Sequence, residues 1–560
     1  MREQPRRRQT RVPPSAMSAM RGGQRQVPQY RPATRGTGRR LPVRLLVVLA
    51  LAALVVTGIV FTTRFLDAAP TPPPTVAEDT PTVIAYGTYL GGPQRRSYGL
   101  GPAPDKLEVI WKSEIGTGQT SRKSDGKLVL WSGMGWTGQP LVVLDEGVPN
   151  LIVGGYDHGL RRLDMATGDT VWRYEFDDVI KGTPAVYLDA SRAKGDRAVI
   201  VAGSRRGTAF EVGDPGIAPL RAIAFSSGTE VWRMGIPKTE HYSQDVDASS
   251  LFIDGRIISA VEPGFVYALD AHRTETVSGV IGPVVLSTSP PLYTAEDVRE
   301  HPDSGAANIA IEGSPAVLDD RIYIATGSGH VYGLDRKTLA IEWDYAVGGD
   351  FDSTVAVTRD GMLLVGMERE YVTGHGGVFM LDPRKPPAEA LVWFFPTLDR
   401  GISEWGGGVV GSVAVNDESD PDGTRPPLAA FCSVDGNLYV VASNAIAKKR
   451  VSGPNGEPGL PAPRLIFKDH IGGSISTPVI IGDRIVAVGF DKTVHLYQIT
   501  YTGSQAGSGV VGRDGRKVDV TVREIDSIVL GGQLESTPLV WDGRVYIGCR
   551  DGFLYCLGAR

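Results

Sequence analysis

With 560 residues and a formal net charge of only −5, the chain is too long for one ordinary core and too weakly charged for a nucleic-acid binder. Its 70 Gly and 39 Pro suit an all-β protein with many tight turns. Eight His and three Cys over this length argue against a dedicated metal cage or a disulfide framework.

The N-terminal residues form a separate object. Residues 1–44 hold twelve Arg, no Lys and a single acid, Glu3. Leu45 to Thr63 is a run of nineteen uncharged residues, long enough to cross a hydrocarbon core as a helix. The Arg excess before it and Asp67, Glu78 and Asp79 after it place the N-terminus in the cytoplasm and the rest outside. A cleaved signal peptide ending near Leu66-Asp67-Ala68 is the rival reading, but the apolar run and the basic segment are both long for one. Residues 64–85, rich in Pro and Thr from Ala68 to Pro81, read as a stiff spacer. The tail contributes +11 to the formal charge, so the remainder carries −16. Such an acidic ectodomain disfavours nucleic acid and anionic lipid as partners.

From residue 86 a phrase recurs: a small polar residue, Pro, an apolar run, an Asp/Gly turn, a second apolar run, a second turn, then apolar-Tyr-x-Leu. It is clearest at Thr183-Pro184, Ser314-Pro315, Thr477-Pro478 and Thr537-Pro538. Degenerate copies open at Gln139-Pro140, Ser249-Ser250, Thr354-Val355 and Ser412-Val413. Each unit contains three strands separated by turns such as Asp254-Gly255 and Asp542-Gly543, strong hairpin signals because Gly accepts a positive φ. Several add a Trp-bearing fourth, as in Val171-Trp172-Arg173 and Val231-Trp232-Arg233. Eight four-stranded antiparallel units predict an eight-bladed β-propeller. The last unit stops at Leu557-Gly558-Ala559-Arg560, short of a fourth strand. Leu107 to Ile115, with Val109-Ile110-Trp111-Lys112, is an unassigned strand of that type before the first unit. It is expected to complete blade eight and close the ring, leaving no open edge.

The phrase, with Leu163-Asp164-x-x-Thr167-Gly168-x-x-x-Trp172, resembles the pyrroloquinoline-quinone (PQQ)-like propeller repeat. Tyr89 to Arg96 followed by Gly101-Pro102 resembles the lead-in before the first blade of that family. The resemblance spans about residues 86–560 and implies the fold. For function it implies either a quinoprotein dehydrogenase or a non-catalytic scaffold, such as the lipoprotein of the outer-membrane assembly machinery. The dehydrogenases carry adjacent cysteines over the cofactor, a stacking Trp, and an Asp base beside a calcium ligated by Glu and Asn. Here Cys432, Cys549 and Cys556 are never adjacent. Trp405, before Gly406-Gly407-Gly408, is a candidate stacking residue, but reads more simply as a loop-end aromatic. No motif for calcium or base is recognisable. A two-residue turn at Asp551-Gly552 would set Cys549 opposite Leu554 and make Cys556 a diagonal neighbour, near or beyond disulfide reach. Core thiols are the expectation.

Function in a propeller gathers on the loops of one face. Three inter-blade loops are long: Gly116–Thr137, Met234–Val246 and Phe394–Val409. They nominate Trp136, His241, Tyr242 and Trp405 as a partner-binding face. Three residues before the second residue of each anchor lies the position entering the channel: Thr137, Lys181, Asp247, Glu312, Asp352, Val410, Ile475 and Glu535. Lys181, Asp247, Glu312, Asp352 and Glu535 should therefore converge in a polar ring at the channel mouth. A solvated funnel is the plain reading, a cation or small-ligand site the sharper one. No nucleophile–base pair and no metal-ligand spacing of His stands out. The sequence is therefore read as a membrane-anchored extracytoplasmic propeller acting as a binding or assembly scaffold in the cell envelope. Its partner would be an envelope protein or a small ligand, with no catalytic residues and no resident cofactor. The alternative is a membrane-bound PQQ-dependent dehydrogenase.

Overall fold

The small-polar/Pro anchors mark where strands begin. In all eight units the innermost strand starts two residues after the small polar residue or Gln139. The structure is a computed structural model that describes residues 82–121, 127–206, 218–241, 243–303, 306–397, 406–504 and 509–560. The expected cytoplasmic tail, the apolar run 45–63 and most of the spacer lie outside those residues. Among the described residues no helix is long and apolar enough to cross a membrane.

The propeller has eight blades, each built on four antiparallel strands ordered from inner to outer edge, with a fifth strand added in blades 1 and 7. Blade 1 runs Leu141–Asp145, Val148–Gly154, Gly159–Asp164 and Thr170–Glu175. Blade 2 runs Ala185–Leu188, Ala198–Gly203, Leu220–Ala224 and Glu230–Met234. Blade 3 runs Leu251–Ile253, Arg256–Val261, Phe265–Val277 and Val280–Thr288. Blade 4 runs Ala316–Leu318, Arg321–Thr326, His330–Asp335 and Ile341–Ala346. Blade 5 runs Ala356–Val357, Leu363–Met367, Gly377–Leu381 and Leu391–Pro396. Blade 6 runs Ala414–Val415, Leu428–Cys432, Asn437–Ile446 and Pro463–His470. Blade 7 runs Val479–Ile481, Arg484–Val488, Thr493–Gly503 and Lys517–Val529. Blade 8 takes Leu539–Trp541, Arg544–Gly548 and Phe553–Gly558 from the C-terminus and Glu108–Glu114 from the N-terminal side. Glu108 pairs with Gly558 and Glu114 with Phe553, so the ring closes as the orphan strand implied.

The core lies in the seams. Buried aliphatic and aromatic side chains fall into clusters that each join neighbouring blades, for example Ile258, Val266, Ile322 and Ile324 between blades 3 and 4. Each such side chain contributes roughly 1.5–3 kcal/mol. The fourth-strand tryptophans tie one blade to the next. Trp172, Trp343 and Trp393 donate through Nε1 to the carbonyls of Phe225, Lys385 and Ser443 at 2.8–3.0 Å. Trp111 of the closing strand lies against the Thr167-Gly168 turn of blade 1, where a Cβ at Gly168 would come within 2.7 Å of the indole. That contact explains the Gly of the Thr-Gly turn.

The small polar anchors have their own reason. Backbone N–H groups of Gln139, Ser249, Ser314, Thr354 and Ser412 donate to the hydroxyls of Thr183, Ser314, Thr354, Ser412 and Thr477, each in the next blade, at 2.8–2.9 Å. The anchors thus form a girdle around the channel, with buried backbone donors satisfied from blade to blade.

The lead-in does more than precede the first blade. Val83–Tyr86 pairs with the inner strand of blade 1, so the last residues of the expected 64–85 spacer belong to the propeller. The following residues then circle the channel. Carbonyls of Gly87, Pro93, Gln94, Arg96 and Ser97 accept N–H bonds from Val186, Val317, Val357, Val415 and Ile480 at 2.8–3.2 Å. Leu100 donates to Val540 at 3.0 Å. Arg95 is fully buried, its guanidinium donating to the carbonyls of Tyr89, Ser249 and Pro315 and to Thr88 Oγ1. One segment therefore stitches the inner strands together and fills the channel beyond the anchor girdle.

The cysteine reading stands with one correction. Cys432, Cys549 and Cys556 are buried and free. Gly548, not Cys549, faces Leu554, while Cys556 faces Tyr546. The turn is wider than two residues because Cys549 N–H reaches Phe553 O at 2.9 Å and Asp551 draws in the Phe553 amide and the Tyr555 hydroxyl. Burial pushes the Cys549 thiol up to about 12, so it is inert at neutral pH.

Candidate functional site: two carboxylate triads at the channel mouth

The positions three residues before the anchors are brought together, but not as one uniform ring. Blades 6 and 7 supply Val410 and Ile475, which pack with Val434 as a small apolar group flanked by the half-buried Trp136 and Phe490. Glu535 pairs with Arg550 at 2.8 Å, and the Arg550 guanidinium lies 4.9 Å from the ring centre of Tyr156. Lys181, Asp247, Glu312 and Asp352 are all less than a tenth exposed. The mouth therefore has an apolar arc and an acidic arc, which spans blades 3 to 5.

The acidic arc contains residues beyond those nominated from the sequence. Asp247, Glu262 and Glu312 form one triad, and Asp350, Asp352 and Glu368 a second; within each, carboxylate oxygens lie within 4.8 Å of one another. Glu262 and Glu368 occupy one repeat position, immediately after the second strand of blades 3 and 5. Elsewhere that position holds Gly155, Ser204, Gly327, Ser433, Gly489 and Cys549. Two Glu at an otherwise small position was a signal in the sequence, visible only once strand ends were known.

The first triad contains its own cation. Lys181 Nζ contacts the Asp247 carboxylate and stands 3.6 Å from Glu262 Oε1. His241 Nε2 is 3.5 Å from Glu262 Oε2, while its Nδ1 lies 2.8 Å from the Ala307 carbonyl. The ammonium is 5.8 Å from the Trp136 ring centre, within cation–π range. Burial, only partly offset by Lys181, still raises the Asp247 carboxyl well above its usual range.

For the second triad, burial comes first and neighbouring carboxylates next in raising Asp350 and Glu368 well above the usual range. The Asn308 amide donates to Asp350 Oδ2 at 2.6 Å. Asp350 Oδ1 and Glu368 Oε1 are buried without a hydrogen-bond partner.

The expected partner face fares differently. His241 is 1 % exposed, so it is a channel-mouth residue and not a surface contact, its ring held by the Ala307 carbonyl. Trp136 is half-buried over Lys181 and the apolar arc. Tyr242 and Trp405 lie outside the described residues. The Gly116–Thr137 loop contains a hairpin, Thr117–Ser121 with Leu128–Ser132, whose Leu128 and Leu130 are exposed.

A family model described as outer membrane protein assembly factor BamB matches residues 218–384, the stretch holding both triads. That stretch is similar to the PQQ-like β-propeller repeat. No curated protein matches it significantly. Among solved structures it is similar to quinohemoprotein alcohol dehydrogenase from Comamonas testosteroni, at 13 % identity and TM-score 0.52, over 87 % of this chain and 82 % of that one. It is also similar to BamB from Moraxella catarrhalis, at 15 % identity and TM-score 0.45, over 80 % of this chain and all of that one.

Whether the mouth fits PQQ can be tested by charge. The cofactor is itself a tricarboxylate, and the acidic arc would meet it with two carboxylate triads and Lys181 already committed to one of them. The free cysteines are separated and buried, not adjacent. The adjacent cysteine pair of the dehydrogenases is not present in this sequence, and no redox step is derived through the group.

Proposed function

We propose that the protein is a non-catalytic binding scaffold of the cell envelope. In this reading the apolar run 45–63 holds it in the membrane, with the Arg-rich tail in the cytoplasm and the propeller outside. The separated cysteines carry the reading, because the dehydrogenases built on this repeat cover their cofactor with an adjacent pair. The match to an outer-membrane assembly factor over blades 2 to 5 supports it further. A partner complementary to the mouth would present a basic group to the acidic arc and an apolar one to Val410, Val434 and Ile475. An envelope protein or a small cationic ligand meets that description.

The test is reconstitution of the purified full-length chain with PQQ and calcium, followed by dye reduction with alcohols, aldehydes and sugars. No PQQ-dependent reduction is expected. Turnover above the protein-free rate would establish the dehydrogenase reading instead. Topology is checked by adding protease to wall-stripped cells, where the propeller should be digested or released; full protection would reverse the orientation.

A further inference from the structure

We propose that the cleft between blades 4 and 5, on the face opposite the channel mouth, binds a neutral saccharide. The cleft shares no residue with either carboxylate triad, and it stands independently of the scaffold reading.

The cleft has a volume of about 500 Å³. Sites that hold small molecules run about 300–1,000 Å³ and are largely formed in advance. It opens where the turns after the first and third strands of blade 4 meet the turn after the third strand of blade 5. Leu318, Tyr323 and Pro383 supply its apolar lining, and charged side chains supply the rest. Its walls are held from outside. Arg256 of blade 3 donates to the carbonyls of Arg336 and Lys337 at 2.7 and 2.9 Å. Trp343 donates across the seam to the Lys385 carbonyl at 3.0 Å.

The charges select the class of ligand. Four cations, Arg321, Arg336, Lys337 and Arg384, are matched by four acids, Asp319, Asp320, Asp335 and Glu342. They are interleaved, not sorted by sign. Arg321 Nε donates to Glu342 at 2.8 Å, Arg336 Nε lies 3.2 Å from Asp254, and Arg384 Nε donates to Asp382 at 2.7 Å. An ion finds no field of one sign there, and a zwitterion finds no two separate poles. Paired ions still have hydrogen-bonding capacity to spare, because a guanidinium has five N–H donors and a carboxylate about four acceptor sites. A hydroxyl both donates and accepts, so it can bond to either sign. Several such hydroxyls on an uncharged carbon frame make a sugar. The repeat shows that the scaffold does not require these residues. Asp320 stands where Gly255 and Gly543 complete the corresponding turns of blades 3 and 8, and Leu318 stands where blade 8 has Trp541. With Trp541 in its lining, the equivalent cleft between blades 8 and 1 measures about 250 Å³ and offers one ion of each sign, Arg544 and Asp542.

The experiment is isothermal titration calorimetry of the full-length protein at pH 7.5, in buffer and detergent free of sugar groups. The probes are glucose, galactose, N-acetylglucosamine, maltose, lactose and cellobiose, with glycine and inorganic phosphate as charged controls. Wild type should bind at least one of the sugars and neither control as tightly. Leu318→Trp, which copies blade 8 and fills the cleft, should lose that binding. Asp320→Gly, which restores the turn residue of blades 3 and 8, should weaken it about tenfold or more and serves if the tryptophan variant fails to fold. Absence of binding by all six sugars would overturn the site. So would sugar binding that is undiminished in either folded variant. Glycine or phosphate bound more tightly than every sugar would overturn the class of ligand.

Discussion

The two triads share one plan and differ in one component. Each joins an Asp three residues before an anchor to a Glu just after a second strand, Asp247 with Glu262 and Asp352 with Glu368, and each adds one more carboxylate. In the first, Lys181 from the preceding blade reaches Asp247 and Glu262. In the second, the contact made to Asp350 is the neutral Asn308 amide, and the neighbouring charges that act most on Asp350 and Glu368 are negative. A repeat architecture can thus place the same acidic motif twice and give it two fates. In one a lysine of the chain lies among the acids; in the other the contact on Asp350 is an uncharged amide. The difference follows from what the neighbouring blade offers, not from the acids themselves.

The largest effect should come from making the first triad like the second. Lys181→Met keeps much of the side-chain volume and removes the ammonium. Breaking a buried pair by taking one partner away typically costs about 3–5 kcal/mol, because the remaining charges are left uncompensated. Denaturant unfolding at pH 7.5 should show a loss on that scale. A variant as stable as wild type would mean that Lys181 is not the counter-charge of this triad.

Glu262→Gln and Glu368→Gln sharpen the contrast through their signs. Like charges 4 Å apart repel by about 4 kcal/mol at an effective dielectric constant of 20, and partial protonation relieves some of that. In ion-free buffer Glu368→Gln should therefore raise stability by roughly 1 kcal/mol or more. Glu262→Gln should leave stability unchanged or lower, since Lys181 and His241 lose a carboxylate they contact. Equal shifts in the two variants, read as denaturation midpoints, would remove the distinction between the triads.

Much of the architecture could be read before any coordinates. Eight anchors and one orphan strand imply eight blades and their closure, because turn dipeptides and period-two alternation are local signals. The girdle of anchor hydroxyls was present in the sequence as a preference for small polar residues, but its cause was not, since each hydroxyl serves an amide in the next blade. The course of residues 87–100 around the channel left no periodic trace, because its bonds run through backbone carbonyls that any side chain permits. At the mouth, Lys181, Asp247, Glu312 and Asp352 were placed by counting back from the anchors. Asp350, Glu262 and Glu368 were missed: one lies two residues off the counted position, and the others follow the second strand. His241 was taken for a loop residue on an open face; the fold buries it against Glu262 and Ala307. Side-chain burial in a loop depends on neighbouring blades distant in sequence.

The smallest effect tests the same rule away from the mouth. On blade 7, His495 sits between Asp491, at 3.3 Å, and Glu524, at 2.7 Å, with its ring stacked 6.0 Å from that of Tyr497. It is another case of carboxylates compensated by a cation from within the chain, but a titratable one. Burial alone would lower its pKa; the hydrogen bonds that the ring donates to Asp491 and Glu524 outweigh burial and raise it. A histidine whose folded pKa exceeds the unfolded value of about 6.5 stabilises fully below that value and loses its contribution as pH rises through the folded pKa. Both carboxylates are partly exposed, so solvent screening holds the contribution to about 1 kcal/mol or less. His495→Gln should therefore be less stable than wild type by that margin near pH 6, over and above any constant packing loss against Tyr497, and the margin should close by about pH 8.5. Urea midpoints of both proteins across this range give the answer. A difference that stays constant with pH would show that the ring serves Tyr497 by packing alone, and that a cation inside the chain matters only where burial is as deep as at Lys181.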